Sequence, residues 1–302
     1  MRFFITSLIF LTLIEVNAQI VSIPDTTFRN YLINNSSINT NGDSLIQVSE
    51  ASQYSGTISC QGLGIYDLTG IEAFTNVTSL LCYQNFLDSI DLSSNIALTM
   101  LNAYQNNFSE IDLTNNVNLQ TIRLQENQLS SIDLSNNQDL ASLVLDSNLL
   151  TTLDVSENTD LNFLACNENN LQGGLDLSNN SLLEVVRLSG NNLTCLNLRN
   201  GNNSVIGELR TIQNPSLTCI QVDDSLYSAQ NWTDIDAHSY FSESCSGDCN
   251  QPPLSVSHIT KPYKKDLIRI IDLLGKETKP EVNTIQVYQY SDGSFEKKVV
   301  IE

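Results

Sequence analysis

The residue types that usually carry out catalysis are scarce in this chain of 302 residues. Its two histidines, His238 and His258, are too few for a histidine-rich metal site and leave little choice of a histidine base. The chain contains no nucleophile elbow, phosphate-binding loop, dinucleotide glycine motif or HExxH helix. Serines and aspartates are frequent, but no base accompanies them. The sequence therefore predicts that the protein is not an enzyme.

Side chains that carry oxygen are regularly spaced along residues 39–50, which read NTNGDSLIQVSE. Asn39, Asn41 and Asp43 occupy the first, third and fifth places, and Glu50 occupies the twelfth. These marks resemble the EF-hand calcium loop, except that Ser44 stands where that loop requires glycine. The resemblance implies calcium as a weakly bound cofactor, with a dissociation constant of about 10⁻⁴–10⁻³ M. The alternative is a polar turn that closes the N-terminal cap.

A second set of oxygen ligands is a column of aspartates in the middle of the chain. Its members are Asp91, Asp112, Asp133, Asp154 and Asp176. Each lies between apolar residues, so strand alternation points its carboxylate outward. One interpretation is that each aspartate accepts a hydrogen bond from the Ser or Thr that follows it; the other is that the row gathers divalent cations or a basic partner. Stacked like charges repel, which favours the structural interpretation.

The elements that must position these residues follow from a repeat of 21 residues, with one residue inserted near Gly173 and Gly174. Each unit reads L-x-x-L-x-[LAC]-x-x-N-x-[LF]-x-x-[IL]-D-L-S-x-N. The units begin at Val77, Leu98, Leu119, Leu140, Leu161 and Leu183. A fixed period in the low twenties is typical of a solenoid, in which each coil buries its apolar side against its neighbours. Two alternating runs per unit, such as Ile122–Leu124 and Ile132–Leu134, predict two parallel sheets.

Two asparagine columns punctuate the repeat. The first Asn column is Asn85, Asn106, Asn127, Asn148, Asn169 and Asn191. The second Asn column is Asn95, Asn116, Asn137, Asn158 and Asn180. Asparagine amides can satisfy backbone groups in bends, so we expect both columns to be structural.

The phrases LxxLxLxxNxL and SIDLSNN resemble leucine-rich repeats of the short bacterial type, and residues 63–80 resemble the internalin variant. The resemblance covers roughly residues 56–222. It implies a leucine-rich repeat solenoid with two parallel sheets. The open ends of such a solenoid must be covered: residues 23–37 suit a short amphipathic helix as the N-terminal cap, and residues 214–245 break the period and suit an irregular C-terminal cap. With a small C-terminal β domain, the predicted fold is mainly β. The resemblance says little about function, because such arrays bind many unrelated partners.

The predicted surface for a ligand comprises outward positions of the first strand in each coil, here named the outer strip. The fifth positions are Leu81, Asn102, Arg123, Val144, Ala165 and Arg187, and the seventh are Tyr83, Tyr104, Gln125, Asp146, Asn167 and Ser189. Met100 and Phe163 lie beside them. Tyrosine and arginine are favoured at interface centres, so ligand contacts are predicted at Tyr83, Met100, Asn102, Tyr104, Arg123, Phe163 and Arg187. The alternative is neutral variation on an exposed sheet.

The seven cysteines fall into two groups. Cys60, Cys82 and Cys166 occupy the inward sixth position, which predicts reduced core residues. The remaining cysteines lie in the last coil and the cap, where secretion permits disulfides. The preferred bond is Cys219–Cys245, although connectivity cannot be derived from sequence, and zinc is a weaker alternative.

Both ends of the chain predict export. Residues 1–18 place Arg2 before an apolar run that is too short to span a bilayer, which is typical of a cleavable secretory signal. Residues 261–302 hold all seven lysines and three predicted strands, at 267–271, 284–290 and 295–301. Their phrases IIDLLGKE, YQYSDG and KKVVIE resemble the C-terminal sorting domain of the Bacteroidota type IX secretion system. That resemblance implies interaction with the type IX machinery and removal of the tail; the alternative is a small β adhesion module.

The predicted domains are the signal peptide (1–18), the N-terminal cap (19–55), the repeats (56–213), the C-terminal cap (214–249), a linker (250–260) and the sorting domain (261–302). The net charge of −20 argues against nucleic acid as a partner. We therefore expect a secreted or outer-surface protein, not spanning a membrane, that binds a protein or glycan. The alternative is an accessory scaffold without a specific ligand.

Overall fold

A computed structural model describes residues 19–245, residue 249 and four strands between residues 267 and 299. The predicted signal peptide and the predicted linker therefore lie outside the described residues. The chain divides into two compact units, residues 1–253 and 254–302. Along the described residues, no helix has both the length and the apolar character needed to cross a membrane.

The first unit is built from short strands that recur once or twice per coil. In chain order they are β1 (Thr57–Ser59), β2 (Ser79–Leu81), β3 (Met100–Asn102), β4 (Thr121–Arg123), β5 (Ser142–Val144), β6 (Phe163–Ala165), β7 (Gln172–Asp176), β8 (Val185–Arg187), β9 (Asn192–Asn197), β10 (Glu208–Arg210), β11 (Cys219–Gln221) and β12 (Tyr240–Ser242). Eight of them form one parallel sheet in the order β1-β2-β3-β4-β5-β6-β8-β10. Neighbouring strands pair without a shift, so that Leu101 lies beside Ile122. The predicted leucine-rich repeat solenoid is confirmed.

The second parallel sheet is confined to the C-terminal coils. Its strand order is β12-β11-β9-β7, and it begins beside a register shift at Gly173 and Gly174, the site of the inserted residue. In the preceding coils the back run lies outside any strand, including Ile132–Leu134, for which a strand was predicted. The reason is sparse backbone pairing: the bond from Gln128 N to Phe108 O joins the two coils before the run begins, and the bond at the run itself, from Asn137 N to Leu134 O, lies within one coil.

The core is a continuous stack of inward side chains. The inward residues of one coil, such as Leu119, Ile122, Leu124 and Leu129, are all fully buried. Burial of each such side chain stabilises the fold by about 1.5–3 kcal/mol. Because a coil has apolar neighbours only above and below, no coil can obtain this stabilisation alone.

The predicted N-terminal helix is confirmed as α1 (Thr26–Ile33). Asp25 caps it, since its Oδ1 accepts hydrogen bonds from the backbone N–H groups of Thr27 and Phe28 at 2.8 and 2.9 Å. The helix buries Phe28 and Leu32 against the first coil. A second helix, α2 (Val48–Gln53), and a 3-10 turn at Ile71–Ala73 complete this end.

The C-terminal end is closed by a 3-10 turn at Asn203–Val205, by α3 (Ser225–Asn231) and by Trp232. The buried indole Nε1 of Trp232 donates to the carbonyl oxygen of Ile206 at 3.0 Å.

The cysteines separate as the sequence suggested. The structure joins Cys219 to Cys245, the preferred pair, with Cα atoms 5.9 Å apart. It also joins Cys195 to Cys249, a bond the sequence analysis did not specify. Cys60, Cys82 and Cys166 are free and buried, as predicted. Burial raises the pKa of Cys60 to about 12, so that this thiol remains protonated at neutral pH.

The second unit contains four described strands: β13 (Leu267–Ile271), β14 (Glu277–Thr278), β15 (Ile285–Tyr290) and β16 (Phe295–Val299). They form an antiparallel sheet in the order β14-β13-β15-β16. The three strands predicted from the sequence are present, and β14 was not predicted. The small C-terminal β domain is therefore confirmed as a β structure.

Candidate binding face

The outer strip lies on one face of the eight-stranded sheet. Strand alternation sends Leu101 inward and Met100 and Asn102 outward, and the same alternation recurs in every coil. The parallel register then lines up each position in a row, so that Leu81, Asn102 and Arg123 are consecutive neighbours. A side chain on the strip therefore meets its counterparts from the two adjoining coils.

The first Asn column holds the corner that follows the strip. Asn127 Nδ2 donates to Leu124 O in its own coil at 3.0 Å and to Ala103 O in the preceding coil at 3.1 Å. Asn127 Oδ1 accepts the N–H of Phe108 in the preceding coil at 3.1 Å. Asn214 makes the equivalent bonds beyond the predicted repeat boundary at residue 213. The column thus clamps consecutive coils at a constant spacing.

A column of left-handed residues, missed by the sequence analysis, lies between the strip and this corner. Its non-glycine members are Gln84, Gln105, Glu126, Ser147, Glu168 and Gln213, with φ between 52 and 62°. Gly62 and Gly190 share the position, and this recurrence of glycine is the signal that could have revealed it. Gln84 Nε2 donates to Gln105 Oε1 at 2.8 Å, and Gln105 Nε2 donates to Glu126 Oε2 at 2.6 Å.

The N-terminal part of the strip brings five of the predicted ligand-binding residues together: Tyr83, Met100, Asn102, Tyr104 and Arg123. The rings of Tyr83 and Tyr104 stack with centroids 4.5 Å apart and an interplanar angle of 10°. Asn102 is only 8% exposed although it faces outward, and its Oδ1 has no hydrogen-bond partner. Arg123 is exposed. Its guanidinium is therefore accessible to a ligand.

Phe163 and Arg187 form a separate group farther along the strip. The guanidinium of Arg187 lies 5.3 Å from the centre of the Phe163 ring. The same guanidinium donates to both carboxylate oxygens of Glu208, at 2.8 and 3.0 Å. These hydrogen bonds hold the pKa of Glu208 below its ordinary value and raise that of Arg187. Internal contacts therefore already engage this arginine.

Between these groups the strip is also internally bonded. Asp146 Oδ1 accepts the backbone N–H and the side-chain amide of Asn167, at 2.6 and 2.8 Å. Asn167 Oδ1 in turn accepts the N–H of Ser189 at 2.9 Å. Burial raises the pKa of Asp146 despite these hydrogen bonds. The polar groups of this stretch mainly join neighbouring coils.

The column of aspartates has local partners. Oδ1 of each member accepts the backbone N–H two residues later at 2.9–3.0 Å, in Ser93, Thr114, Ser135, Ser156 and Ser178. Asp67 and Asn197 make the same turn bond and extend the column, which the sequence analysis did not recognise. Hydrogen bonds from the hydroxyl and then the N–H of Thr114 lower the pKa of Asp112. These contacts favour the structural interpretation of the column.

The second Asn column is buried at the opposite corner of each coil. Asn137 Nδ2 donates to Leu113 O and Asn116 O of the preceding coil, at 3.2 and 2.9 Å. The Oδ1 atoms of the five members have no hydrogen-bond partner: Asn95, Asn116, Asn137, Asn158 and Asn180. The column therefore bridges coils through its amide hydrogens alone.

The calcium-type loop uses its oxygens internally. Glu50 Oε1 accepts the N–H groups of Thr40 and Asn41, and its Oε2 accepts the N–H of Gln47. Burial raises the pKa of Glu50, but these hydrogen bonds outweigh burial and lower it. Asp43 Oδ1 accepts the N–H of Leu45.

The two asparagines of this loop are also engaged. Asn39 Nδ2 donates to Ile33 O and Asp43 O, and Asn41 Nδ2 donates to Asp43 Oδ2 and Gln47 Oε1. A calcium loop instead directs its side-chain oxygens toward one centre. The arrangement does not fit a calcium ion and favours the alternative of a polar turn that closes the cap.

No protein-family model and no curated protein sequence matches the chain. Among solved structures, the chain is similar to internalin C2 of Listeria monocytogenes, with 19% identity over 72% of this chain and 94% of that chain and a TM-score of 0.46. It is also similar to a leucine-rich repeat protein of Leptospira interrogans, with 15% identity over 64% of this chain and 68% of that chain and a TM-score of 0.41. These are likenesses of fold type alone.

Proposed function

We propose that this protein is a binding or adhesion protein of the cell exterior that recognises a protein or glycan through the outer strip. Leucine-rich repeat solenoids usually serve as binding scaffolds without enzymatic activity, and their extended faces carry the ligand. The observation that carries the proposal is the contrast between the inward and the outward positions of the repeat. Inward residues and asparagines repeat in every coil, whereas the outward residues of the same strands differ from coil to coil.

Within the strip, the N-terminal group is the part best suited to contact a ligand. Arg123 is exposed, and the two stacked tyrosines are half-buried on the outward face. Arg187, in contrast, is already paired with Glu208. A ligand at the N-terminal group therefore gains new contacts without breaking an existing ion pair.

Charge restricts the class of partner. Residues 19–250 carry five arginines against 26 acidic residues, so their formal charge is −21. Polyanions such as nucleic acid are repelled by such a surface. A neutral or basic partner is favoured.

The proposed route to the exterior is a signal peptide followed by type IX secretion directed by the tail. The motif resemblance of residues 261–302 and the two disulfides support it, because disulfides persist in oxidising compartments. The mass of the protein recovered from the culture medium tests this route. Loss of residues 1–18 and of the tail supports it, and an intact tail favours the adhesion-module alternative.

The proposed site is tested by capture from spent medium and host extract with wild type and the triple variant Tyr83→Ala, Tyr104→Ala, Arg123→Ala. We expect the variant to lose a partner at unchanged melting temperature, because these side chains face outward. A matched control replaces two other tyrosines and an arginine, Tyr66, Tyr240 and Arg199, which are exposed outside the strip. A partner that both variants retain would contradict the proposed site.

The internal bonding of the middle and C-terminal strip favours a second candidate, a surface scaffold without a specific ligand. Asp146, Asn167 and Ser189 bond one another across coils, as structural residues do. This candidate is favoured if no partner is lost from the triple variant.

A further inference from the structure

A disulfide bond fixes the C-terminal end of the first unit to the repeats. It joins Cys195 of β9 to Cys249, and both cysteines are buried. β9 pairs with β7 in the second sheet, where Cys195 lies beside Gly174. Residue 249 is therefore attached to a strand inside the solenoid, although the whole C-terminal cap precedes it in the sequence.

Gly174 provides the space for this attachment. A Cβ atom at Gly174 would lie 2.6 Å from the carbonyl oxygen of Cys249, which is closer than real Cβ atoms come to backbone. Gly174 also stands at the register shift between β7 and β9, where the repeat contains its inserted residue. The insertion thus leaves room for the backbone of Cys249 to contact β7.

The bond closes a covalent loop around the end of the solenoid. Its cysteines are 54 residues apart, and we name residues 196–248 the enclosed segment. The segment contains β10, β11, α3 and β12. A second disulfide, Cys219–Cys245, lies entirely within it. The two ends of the enclosed segment therefore meet at one covalent junction.

The enclosed segment is the part of the solenoid that a pull from the C-terminal side would detach first. β12 stands at the end of the sheet order β12-β11-β9-β7 and pairs with β11 over three residues. A coil of a solenoid is held only by its neighbours, so tension on a free end removes the last coil before the others. The chain continues beyond Cys249 into the second unit, residues 254–302. Without the bond, tension from that direction would reach β12 first.

We propose that the Cys195–Cys249 bond is a mechanical clamp, an inference that rests on the proposed function of an adhesion protein held at the cell exterior. Tension that enters the chain beyond residue 249 passes through the two sulfur atoms directly to β9. The enclosed segment carries none of this tension and stays folded. The proposed ligand contacts at Tyr83, Tyr104 and Arg123 precede Cys195 in the sequence, so the path of force from a ligand to the C-terminal side avoids the enclosed segment.

The test is single-molecule pulling of the full chain by its two ends in optical tweezers, without reductant. We expect wild type to unfold its repeats with no earlier release of the enclosed segment. The double variant Cys195→Ser, Cys249→Ser should release that segment first, at a lower force than the repeats. Its gain in length should be about 100 Å, because the inner bond still closes 26 of the 54 residues and each freed residue adds about 3.5 Å.

The matched control is the double variant Cys219→Ser, Cys245→Ser, which removes the inner bond and keeps the clamp. If the two bonds merely stabilised the cap, both variants would weaken the protein under tension. The clamp instead predicts that the control releases nothing before the repeats unfold, as in wild type.

A second measurement needs no substitution and remains informative if the clamp variant does not fold. Wild type is held at constant tension while dithiothreitol reduces its disulfides by thiol exchange. Because tension falls first on Cys195–Cys249, a step of about 100 Å should come first, followed by a step of about 90 Å when the inner bond is reduced. The reverse order would show that tension bypasses the clamp.

Three further results would overturn the inference: early release of the enclosed segment in wild type, release no earlier than the repeats in the clamp variant, or equal weakening by the control. Failure of the proposed function is distinguishable, because capture of a partner by the outer strip requires no tension. If the pulling results hold and no partner is captured, the proposed function fails and the clamp stands. If they do not hold, the clamp fails even where a partner is captured.

Discussion

The two asparagine columns lie at opposite corners of the same coils and use the same side chain differently. At the corner beside the outer strip, Asn127 bonds two carbonyls through Nδ2 and one N–H through Oδ1. At the far corner, Asn137 bonds two carbonyls, but its buried Oδ1 has no partner. One corner is fully hydrogen-bonded and the other is bonded only through its donors.

The difference comes from the backbone that surrounds each amide. After the first column the chain runs extended beside the preceding coil, whose Phe108 N–H remains available to Asn127. At the second column the chain turns tightly, and the N–H groups of Asn137 and Leu140 bond carbonyls of their own coil. These two N–H groups are therefore not available to Oδ1. Identical residues with an identical period therefore contribute different stability.

This contrast also bears on function. The outer strip adjoins the corner whose polar groups are satisfied across coils, so its rows are held at a constant spacing. A binding face gains affinity when its side chains are positioned before the ligand arrives. The aspartate turns of the other side are bonds within one coil, although Asn197 Nδ2 also donates to Asp176 Oδ1 of the preceding coil at 2.9 Å.

The difference in stability between the two corners is tested by removing one asparagine from each column, and the largest effect is expected from the first column. Asn127→Ala removes three hydrogen bonds and leaves the buried N–H of Phe108 without an acceptor, whereas Leu124 O and Ala103 O keep bonds from Asn148 and Asn106. We therefore expect a loss of about 2–4 kcal/mol in the free energy of unfolding. Urea unfolding followed by circular dichroism measures it. The matched variant, Asn137→Ala, removes two bonds but also an unpaired oxygen, and should cost about 1–2 kcal/mol. Equal losses would contradict the proposed difference between the corners.

A smaller effect is expected on the side of the coil that carries the aspartate turns. Hydrogen bonds from Ser93 and Thr114 lower the pKa values of Asp91 and Asp112 in the folded protein. The stabilisation that these two ionised carboxylates contribute is therefore fully present above the pKa of about 3.9 that they have in the unfolded chain. It is lost as the pH falls through their lowered pKa in the folded protein.

The double variant Asp91→Asn, Asp112→Asn keeps the turn acceptor but removes its titration. Wild type and variant should converge in stability below about pH 3 and differ by on the order of 0.5 kcal/mol or less at pH 6, because water screens these exposed groups. Unfolding curves between pH 2 and pH 7 measure this difference. A constant offset over the whole range would show that the carboxylates contribute nothing through their charge.

The smallest effect is expected from calcium at residues 39–50. Because the oxygens of Asp43 and Glu50 already accept hydrogen bonds within the loop, we expect melting temperatures in calcium and in chelator to agree within about 1 °C. Differential scanning calorimetry at millimolar calcium makes the comparison, with Glu50→Gln as the control. A saturable rise that Glu50→Gln abolishes would restore the calcium interpretation.

Much of the fold could be predicted because the repeat carries its own register. The period placed Leu101 and Ile122 inside the coil, Met100 and Asn102 outside it, and the asparagines at the bends. The short helix at residues 26–33 followed from its amphipathic pattern. These features depend on contacts within one coil or between that coil and the next copy of the repeat.

The candidate site could be predicted only in part. The position of Tyr83 beside Tyr104 follows from the period of the repeat. The low exposure of Asn102 does not, because the exposed fraction of a side chain depends on the side chains that surround it. The pairing of Arg187 with Glu208 was missed for a similar reason: Glu208 lies in a coil that departs from the repeat pattern. The bond of Cys195 to Cys249 joins residues 54 apart in the sequence.

The sequence alone determined the coil, because a 21-residue period of apolar residues can be buried only by stacking. It also determined which residues face outward, since strand alternation is a local property. Only the tertiary structure decided which outward groups are satisfied and which are not. Hydrogen bonds between coils depend on the geometry of two backbones at once, and that geometry leaves Asn102 Oδ1 unpaired while Asn127 Oδ1 is bonded.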